Sequence, residues 1–131
     1  MKISSAYTRL LVSDLEACFL FYRDIMEFKV TVEDLINGYA EFEASTMKLA
    51  LFRRQEMAAI IGNTHQPFDV ESQDRVTLMF TVPDLEEAYQ HLSHKGIKFT
   101  TQPLSNTSYS IKTAYFRDPD GTLIGLFQFL F

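Results

Sequence analysis

Several features that define common protein classes are missing from this sequence. Cys18 is the single cysteine among 131 residues, which excludes an intramolecular disulfide. The basic residues are scattered and their longest run is Arg53–Arg54, so the clustered positive charge typical of nucleic-acid binding is absent. No stretch approaches the roughly 18 apolar residues of a membrane-spanning helix, and the first residues lack the apolar core of a signal peptide. We therefore expect a cytoplasmic protein that binds neither nucleic acid nor a membrane.

What the sequence does contain is typical of a globular domain. Hydrophobic residues make up 47% and charged residues 22%, with a net charge of −5, a balance that favours folding over disorder. A chain of 131 residues is long enough to bury most of its apolar surface as one domain, residues 1–131. Twelve Phe and six Tyr exceed what a small core usually needs, so we expect some rings to line a ligand cavity. Alternatively, all of them belong to a Phe-rich core.

A short phrase occurs twice, as VSDLEA at Val12–Ala17 and as VPDLEE at Val82–Glu87. Each copy follows an apolar run that is typical of a strand and precedes residues at helical spacing. In the first copy Ser13 and Glu16 predict a capping box, and in the second Asp84 predicts an N-cap. The predicted apolar face of the first helix comprises Leu15, Cys18, Phe19, Tyr22, Ile25 and Met26.

Alternating and apolar runs after each helix predict further strands. In the first half the predicted strands are Tyr7–Val12, Phe28–Val32, Gly38–Phe42 and Met47–Phe52, the last two joined by Glu43–Ser45. In the second half they are Val76–Val82, Ile97–Phe99, Ile111–Phe116 and Thr122–Phe129, with Gly96 as a helix C-cap and the DPDG of 118–121 as a turn. The pattern predicts an α+β fold of two tandem βαβββ modules, about 5–53 and 75–131. The connector 54–74 contains a short predicted helix at 55–61.

This arrangement resembles the vicinal-oxygen-chelate superfamily, which includes glyoxalase I, extradiol dioxygenases, fosfomycin-resistance enzymes and bleomycin-resistance proteins. The resemblance rests on the two V-x-D-L-E phrases, the FYRD helix, YFRDPDG and the terminal apolar strand, and it covers residues 5–129. It implies a curved, partly open, barrel-like mixed sheet with helices on the convex side. It also implies a homodimer. Relatives often have Gly where this chain has Glu27, a position that favours a left-handed backbone.

The resemblance further implies where a metal site would lie. Enzymes of this family commonly hold a divalent metal ion with His, Gln or Glu, and the matching positions here are Tyr7, Ala50, Thr77 and Gly125. Ala and Gly offer no ligand atoms, a Thr hydroxyl is a weak neutral donor, and Tyr seldom ligates alone. Because a catalytic zinc site needs about three protein ligands, we expect no family-type metal site and no cofactor.

No other residue type offers an obvious catalytic group. His91 and His94 lie away from the apolar face of the second helix, so we expect an exposed pair. His65 lies in the connector, and its role and that of the connector stay open. Cys18 is predicted to be an inert buried thiol, and Asp14, like Asp84, a helix cap.

Strand alternation sorts the residues that would line the groove implied by the resemblance. The predicted ligand-binding residues are Tyr7, Arg9, Phe52, Thr77, Met79, Tyr115 and Phe127, with Lys48 and Tyr109 as further candidates. This set suits a planar or hydrophobic molecule, with Arg9 available to an anionic group. In the competing interpretation the rings simply fill the space.

These observations favour a metal-independent small-molecule binding protein, similar to the bleomycin-resistance branch, that sequesters a hydrophobic or aromatic ligand. The alternative is a glyoxalase-type lyase, isomerase or dioxygenase with a divergent metal site that includes Tyr7, with His65 as a further candidate ligand. A third hypothesis is a regulatory or partner-binding module that has kept the fold and lost the pocket.

Overall fold

The computed structural model describes residues 2, 3, 5, 7–61, 76–106 and 110–130. The chain forms two compact units, Met1–Val70 and Glu71–Phe131. No helix in the described ranges is long and apolar enough to cross a membrane.

The first unit contains β1 Thr8–Val12, α1 Leu15–Leu20, a π-helical segment Phe21–Ile25, β2 Lys29–Asp34, a 3₁₀ turn Leu35–Asn37, β3 Tyr39–Ala44, β4 Met47–Arg53 and α2 Arg54–Ile61. The second contains β5 Thr77–Thr81, α3 Leu85–His94, β6 Thr101–Asn106, β7 Ile111–Arg117 and β8 Leu123–Phe129.

Each unit holds a four-stranded mixed sheet with the same topology. The strand order is β1-β4-β3-β2 in the first unit and β5-β8-β7-β6 in the second. The first strand of each unit pairs in parallel with the last, and the other pairings are antiparallel. The predicted α+β class and its two βαβββ modules are therefore confirmed.

The helix of each unit covers one face of its own sheet. In the first unit the rings of Phe19 and Tyr22 on the helix lie 5.5 and 6.0 Å from that of Phe42 on β3. In the second, the Phe99 ring lies 4.6 Å from that of Tyr89 and 5.0 Å from that of Phe116. The buried core comprises Leu10, Val12, Leu15, Cys18, Phe19, Tyr22, Phe42, Leu49 and Leu51 in the first unit, and Leu78, Leu85, Leu92, Ala114, Phe116, Ile124 and Leu126 in the second. Since the core uses one side of each strand, the alternate residues lie on the opposite face.

The two helix starts are capped by equivalent aspartates. The Asp14 carboxylate accepts a hydrogen bond from the Ala17 amide at 3.0 Å, and that of Asp84 accepts one from the Glu87 amide at 3.1 Å. Both aspartates are thus the predicted caps. The expected capping box with Ser13 as N-cap was wrong, because the first helical residue is Leu15 and the N-cap is therefore Asp14.

Several strand boundaries differ from the sequence prediction; β2, for example, continues to Asp34 and not to Val32. The strand expected at Ile97–Phe99 begins instead at Thr101, because Phe99 turns its ring into the core and the Thr100 amide and hydroxyl both donate to the Tyr115 carbonyl at 2.8 Å. The loop predicted at Glu43–Ser45 is shorter, since β3 continues to Ala44. The predicted C-cap at Gly96, which has φ 92°, and the turn at 118–121 are both confirmed.

The first helix ends in a left-handed residue that is not glycine. Glu27 has φ 60°, the conformation in which a Cβ atom crowds the backbone. The helix closes around it through widened turns, with the Met26 amide donating to the Phe21 carbonyl and the Phe28 amide to the Tyr22 carbonyl, both at 3.0 Å. The sequence left open whether the helix ends differently here or tolerates the strain, and the structure shows a left-handed residue after widened turns.

Replacing Glu27 should therefore separate backbone strain from side-chain contacts. Glu27→Gly and Glu27→Ala both remove the carboxylate, but only the first removes the Cβ atom. We expect the glycine variant to be more stable than the alanine variant by about 1 kcal/mol, measured by urea denaturation. Equal stability of the two variants would show that the left-handed residue carries no strain.

Candidate functional site

The open face of the first sheet is built by strand register. Arg9 on β1 lies beside Ala50 on β4, and Ala50 lies beside Glu41 on β3. In the next row Phe52 lies beside Tyr39. Because neighbouring strands are about 4.8 Å apart, this register collects the side chains of three strands on one face.

Aromatic rings surround the Arg9 guanidinium on this face. Its central carbon lies 5.0 Å from the ring centre of Phe52 and 5.8 Å from those of Tyr7 and Tyr39. Its Nη2 donates a hydrogen bond to the Tyr7 hydroxyl at 3.1 Å, and its Nη1 lies 3.9 Å from the Met57 sulfur. Cation–π attraction at such distances contributes about 0.5–1 kcal/mol at exposed sites. We call Tyr7, Arg9, Tyr39, Phe52 and Met57 the Arg9 cluster.

A second polar group supports the cluster from the β3 side. The Tyr39 hydroxyl donates to the Glu41 carboxylate at 2.8 Å, and the Lys48 ammonium pairs with the same carboxylate at 3.2 Å. Both contacts favour the ionised carboxylate, so the hydrogen bond from Tyr39 and the nearby Lys48 lower the pKa of Glu41. Burial, followed by the hydrogen bond to Glu41, raises the pKa of Tyr39 to about 12.

Arg9 and Lys48 on this face differ in their charge balance. Lys48 is neutralised by Glu41. Within the described ranges, by contrast, no carboxylate lies within ion-pair distance of Arg9, whose partners are a phenol and a thioether. Arg9 is therefore a cation held among aromatic rings of this face that has no carboxylate at ion-pair distance among the described residues.

The open face of the second sheet is apolar at its centre. Register places Met79 on β5 and Tyr115 on β7 on either side of Gly125 on β8. A Cβ atom at Gly125 would lie 2.5 Å from the Met79 sulfur and 2.7 Å from Cε1 of Tyr115. These two side chains therefore close over the glycine and occupy the space that any larger residue would need. Phe127 is T-stacked on Phe129 at 5.4 Å.

Three of the four positions where the resemblance implies metal ligands offer a divalent cation little in this structure. Ala50 is fully buried and has no donor atom. At Gly125 the place of a side chain is taken by a thioether and an aromatic ring, which are poor partners for hard cations. Tyr7 already accepts the Arg9 hydrogen bond. The described ranges contain no group of three or more His, Cys, Asp or Glu side chains that could hold a metal ion.

The structure brings predicted ligand-binding residues together within each unit. In the first unit Arg9 contacts both Tyr7 and Phe52. In the second unit Met79 and Tyr115 both lie over Gly125, and Thr77 and Phe127 lie on the same face by register.

Sequence reasoning missed two members of the Arg9 cluster and its supporting carboxylate. Tyr39 and Glu41 lie in a predicted strand, and applying the same alternation to that strand would have placed both on the open face. Met57 lies in the short predicted helix, where strand alternation does not apply, so no sequence pattern would have placed it on this face. His91 and His94 are exposed, as predicted, whereas His65 and Tyr109 lie outside the described residues.

Comparison with known proteins agrees with this architecture. Residues 4–126 match the profile of the Glyoxalase/Bleomycin resistance protein/Dioxygenase superfamily. The Bacillus subtilis (strain 168) protein YraH is 33% identical over 122 residues, which cover 93% of this chain and 95% of YraH. The chain therefore belongs to this superfamily.

Solved structures show the same fold. A glyoxalase/bleomycin resistance protein/dioxygenase from Nocardioides superposes with a TM-score of 0.76 at 24% identity, covering 99% of this chain and 87% of that one. Lactoylglutathione lyase from Agrobacterium tumefaciens superposes with a TM-score of 0.73 at 21% identity, covering 97% and 95%. At these identities the likeness concerns the fold alone.

The pKa of Tyr39 should depend on the charge of Glu41. In Glu41→Gln we expect it to fall from about 12 towards the ordinary 10.0 without reaching it, because burial, the largest cause, persists. NMR titration of ring-labelled tyrosine, assigned with Tyr39→Phe, measures this. Lys48→Gln is the control, since it keeps the Glu41 charge and should leave the pKa of Tyr39 raised.

The sign of the linked stability follows from the raised pKa. The folded state binds the phenolic proton more tightly than the unfolded state, so this contribution is complete below pH 10.0 and is lost as pH rises through about 12. In Glu41→Gln the stability lost over this pH range should be smaller than in wild type. An unchanged Tyr39 titration in Glu41→Gln would contradict the assigned contact.

The packing over Gly125 predicts a cost for any added side chain. We expect Gly125→Ala to lower the free energy of unfolding by about 1–3 kcal/mol, because Met79 and Tyr115 must move. In a Met79→Ala background the cost should be smaller, since only the Tyr115 contact remains. Urea denaturation of the four proteins measures both effects. Equal costs in the two backgrounds would be inconsistent with Met79 lying over the glycine.

Proposed function

We propose that this protein binds a small hydrophobic or aromatic molecule and needs no metal ion to do so. The observation that carries the proposal is the closure of Met79 and Tyr115 over Gly125. A family-type metal ligand at this position would need space that the two side chains fill. Ala50, the corresponding position of the first unit, has no donor atom and is buried.

The composition of the two open faces supports binding. Phe52, Tyr39 and Tyr7 offer ring surfaces in the first unit, and Tyr115 and Phe127 in the second. Aromatic rings bury large areas and pair with planar ligands by offset stacking or edge-to-face contact, each pair contributing about 0.5–1.5 kcal/mol beyond area burial. Such contacts hold a ligand without activating it.

The titratable groups of the first face support binding over catalysis. A general base works best with a pKa near the operating pH. The pKa of Tyr39, raised to about 12, keeps its hydroxyl protonated at neutral pH. The lowered pKa of Glu41 makes its carboxylate a weaker base, and two partners already occupy its oxygens. The homodimer and the cytoplasmic location stay predictions.

Metal content separates this proposal from a glyoxalase-type enzyme. Protein purified without chelator should contain far less than one equivalent of Zn, Fe, Mn or Ni by elemental analysis. Aromatic compounds that raise its melting temperature should do so equally before and after chelator treatment. One equivalent of metal, with hits that disappear after chelation, would support the enzyme instead.

A substitution pair tests the binding face itself. Phe52→Leu keeps an apolar side chain but removes the ring, so aromatic hits should bind roughly two- to tenfold more weakly. Ile36→Ala is the control, because Ile36 is 94% exposed in the 3₁₀ turn, outside the sheet face. Equal affinities in wild type and Phe52→Leu would place the ligand away from the Arg9 cluster.

A further inference from the structure

We propose that the Arg9 cluster selects ligands that carry a single carboxylate on a planar aromatic group, with Arg9 as the anchor. This inference rests on the proposed binding function and names the ligand class of the first unit. The guanidinium would pair with the carboxylate, and the rings of Phe52 and Tyr39 would contact the ligand's apolar part. Guanidinium and carboxylate match in planar, two-point hydrogen bonding.

The guanidinium is held in place before any ligand arrives. Contacts with three rings and the Tyr7 hydroxyl restrict it, so less side-chain freedom is lost on binding. Its contacts with Tyr7 and Met57 use one N–H each of Nη2 and Nη1. No other described residue accepts a hydrogen bond from this guanidinium, and a carboxylate needs two of its N–H donors in parallel.

Charge balance sets the preference for a monoanion. Glu41 pairs with Lys48 at 3.2 Å, and no carboxylate of the described residues lies within ion-pair distance of Arg9, which leaves its single charge to a ligand. One carboxylate balances that charge, whereas a dianion would bring a second negative charge that the face does not offset. The net charge of −5 on the whole chain also disfavours dianions at long range.

Glu41 acts as a positioning residue in this arrangement. Its carboxylate accepts the Tyr39 hydroxyl at 2.8 Å and so fixes the ring that lies 5.8 Å from the Arg9 guanidinium and 6.3 Å from the Phe52 ring. By holding Lys48, it also keeps a second cation from competing for the anion.

Arg23 is a matched comparison within the same chain. Its guanidinium also lies against a ring, 5.3 Å from the centre of Phe19. It is nevertheless satisfied by Asp24, with hydrogen bonds of 2.7 and 3.0 Å. The two arginines carry the same charge and the same kind of ring contact, but only Arg9 lacks a carboxylate among the described residues.

The test compares benzoate with benzamide, which has the same shape and no charge, by NMR titration of the full chain. The Arg9 Nε–H resonance reports local binding. Wild type should bind benzoate about tenfold or more tightly than benzamide, and Arg9→Gln should abolish this preference while still binding benzamide. Arg23→Gln makes the same charge change and should behave as wild type.

Arg9→Lys serves as a second variant that keeps the charge and loses the planar fork. It should still prefer benzoate, with weaker affinity than wild type. Phenyl phosphate, a dianion near neutral pH, should bind more weakly than benzoate, and tighter binding of the phosphate would overturn the carboxylate assignment.

The failure of this inference differs from that of the proposed function. Equal affinities for benzoate and benzamide, or a benzoate preference that survives in Arg9→Gln, would overturn the role of Arg9 and leave aromatic binding intact. No binding by any aromatic probe to folded wild type would overturn both.

Discussion

The parallel pairing of the first and last strands of each module determines what each open face contains. These strands are far apart in sequence, yet register sets Arg9 beside Ala50 in one unit and Met79 beside Gly125 in the other. Because strand side chains alternate with a period of two, the same pairing that buries Leu10 against Leu51 leaves Arg9 on the opposite face. The same strand pairing therefore determines both which residues form the core and which residues form the candidate site.

Ala50 and Gly125, at positions where the family resemblance implies metal ligands, have different surroundings in the two modules. In the second, the space over Gly125 is filled by larger neighbours, Met79 and Tyr115, which make the centre of that face apolar. In the first, the small residue Ala50 lies in the register row between Arg9 and Glu41. There Arg9 contacts aromatic rings, and Glu41 pairs with Tyr39 and Lys48. One module therefore supplies apolar surface and the other supplies a fixed cation.

Local patterns in the sequence predicted most of the fold. The repeated V-x-D-L-E phrase placed both helices, and alternation placed Arg9 and Met79 on the faces that the structure gives them. Two details of the fold were predicted wrongly from the sequence. The N-cap shifted from Ser13 to Asp14 because the choice depends on which residue becomes helical first. The strand expected at Ile97–Phe99 moved because tertiary packing of a ring outweighed local strand propensity.

The sequence predicted which residues lie at the candidate site better than it predicted the contacts between them. Alternation identifies residues on a face, but it does not say that Glu41 pairs with Lys48 and Tyr39 instead of Arg9. That choice depends on side-chain reach across three strands, and it decides which cation stays available. Likewise, the absence of a side chain at Gly125 was visible in the sequence, whereas the closure of its neighbours over it was not.

The most direct test of this account uses four of the five methionines of the chain as reporters of metal binding. In protein with labelled methionine methyl groups, Met79 reports on the Gly125 position and Met57 on the Arg9 cluster, while Met26 and Met47 serve as internal references. The account predicts that one equivalent of paramagnetic Mn²⁺ broadens none of these four signals selectively. Selective broadening of the Met79 methyl, reversed by chelator, would contradict it.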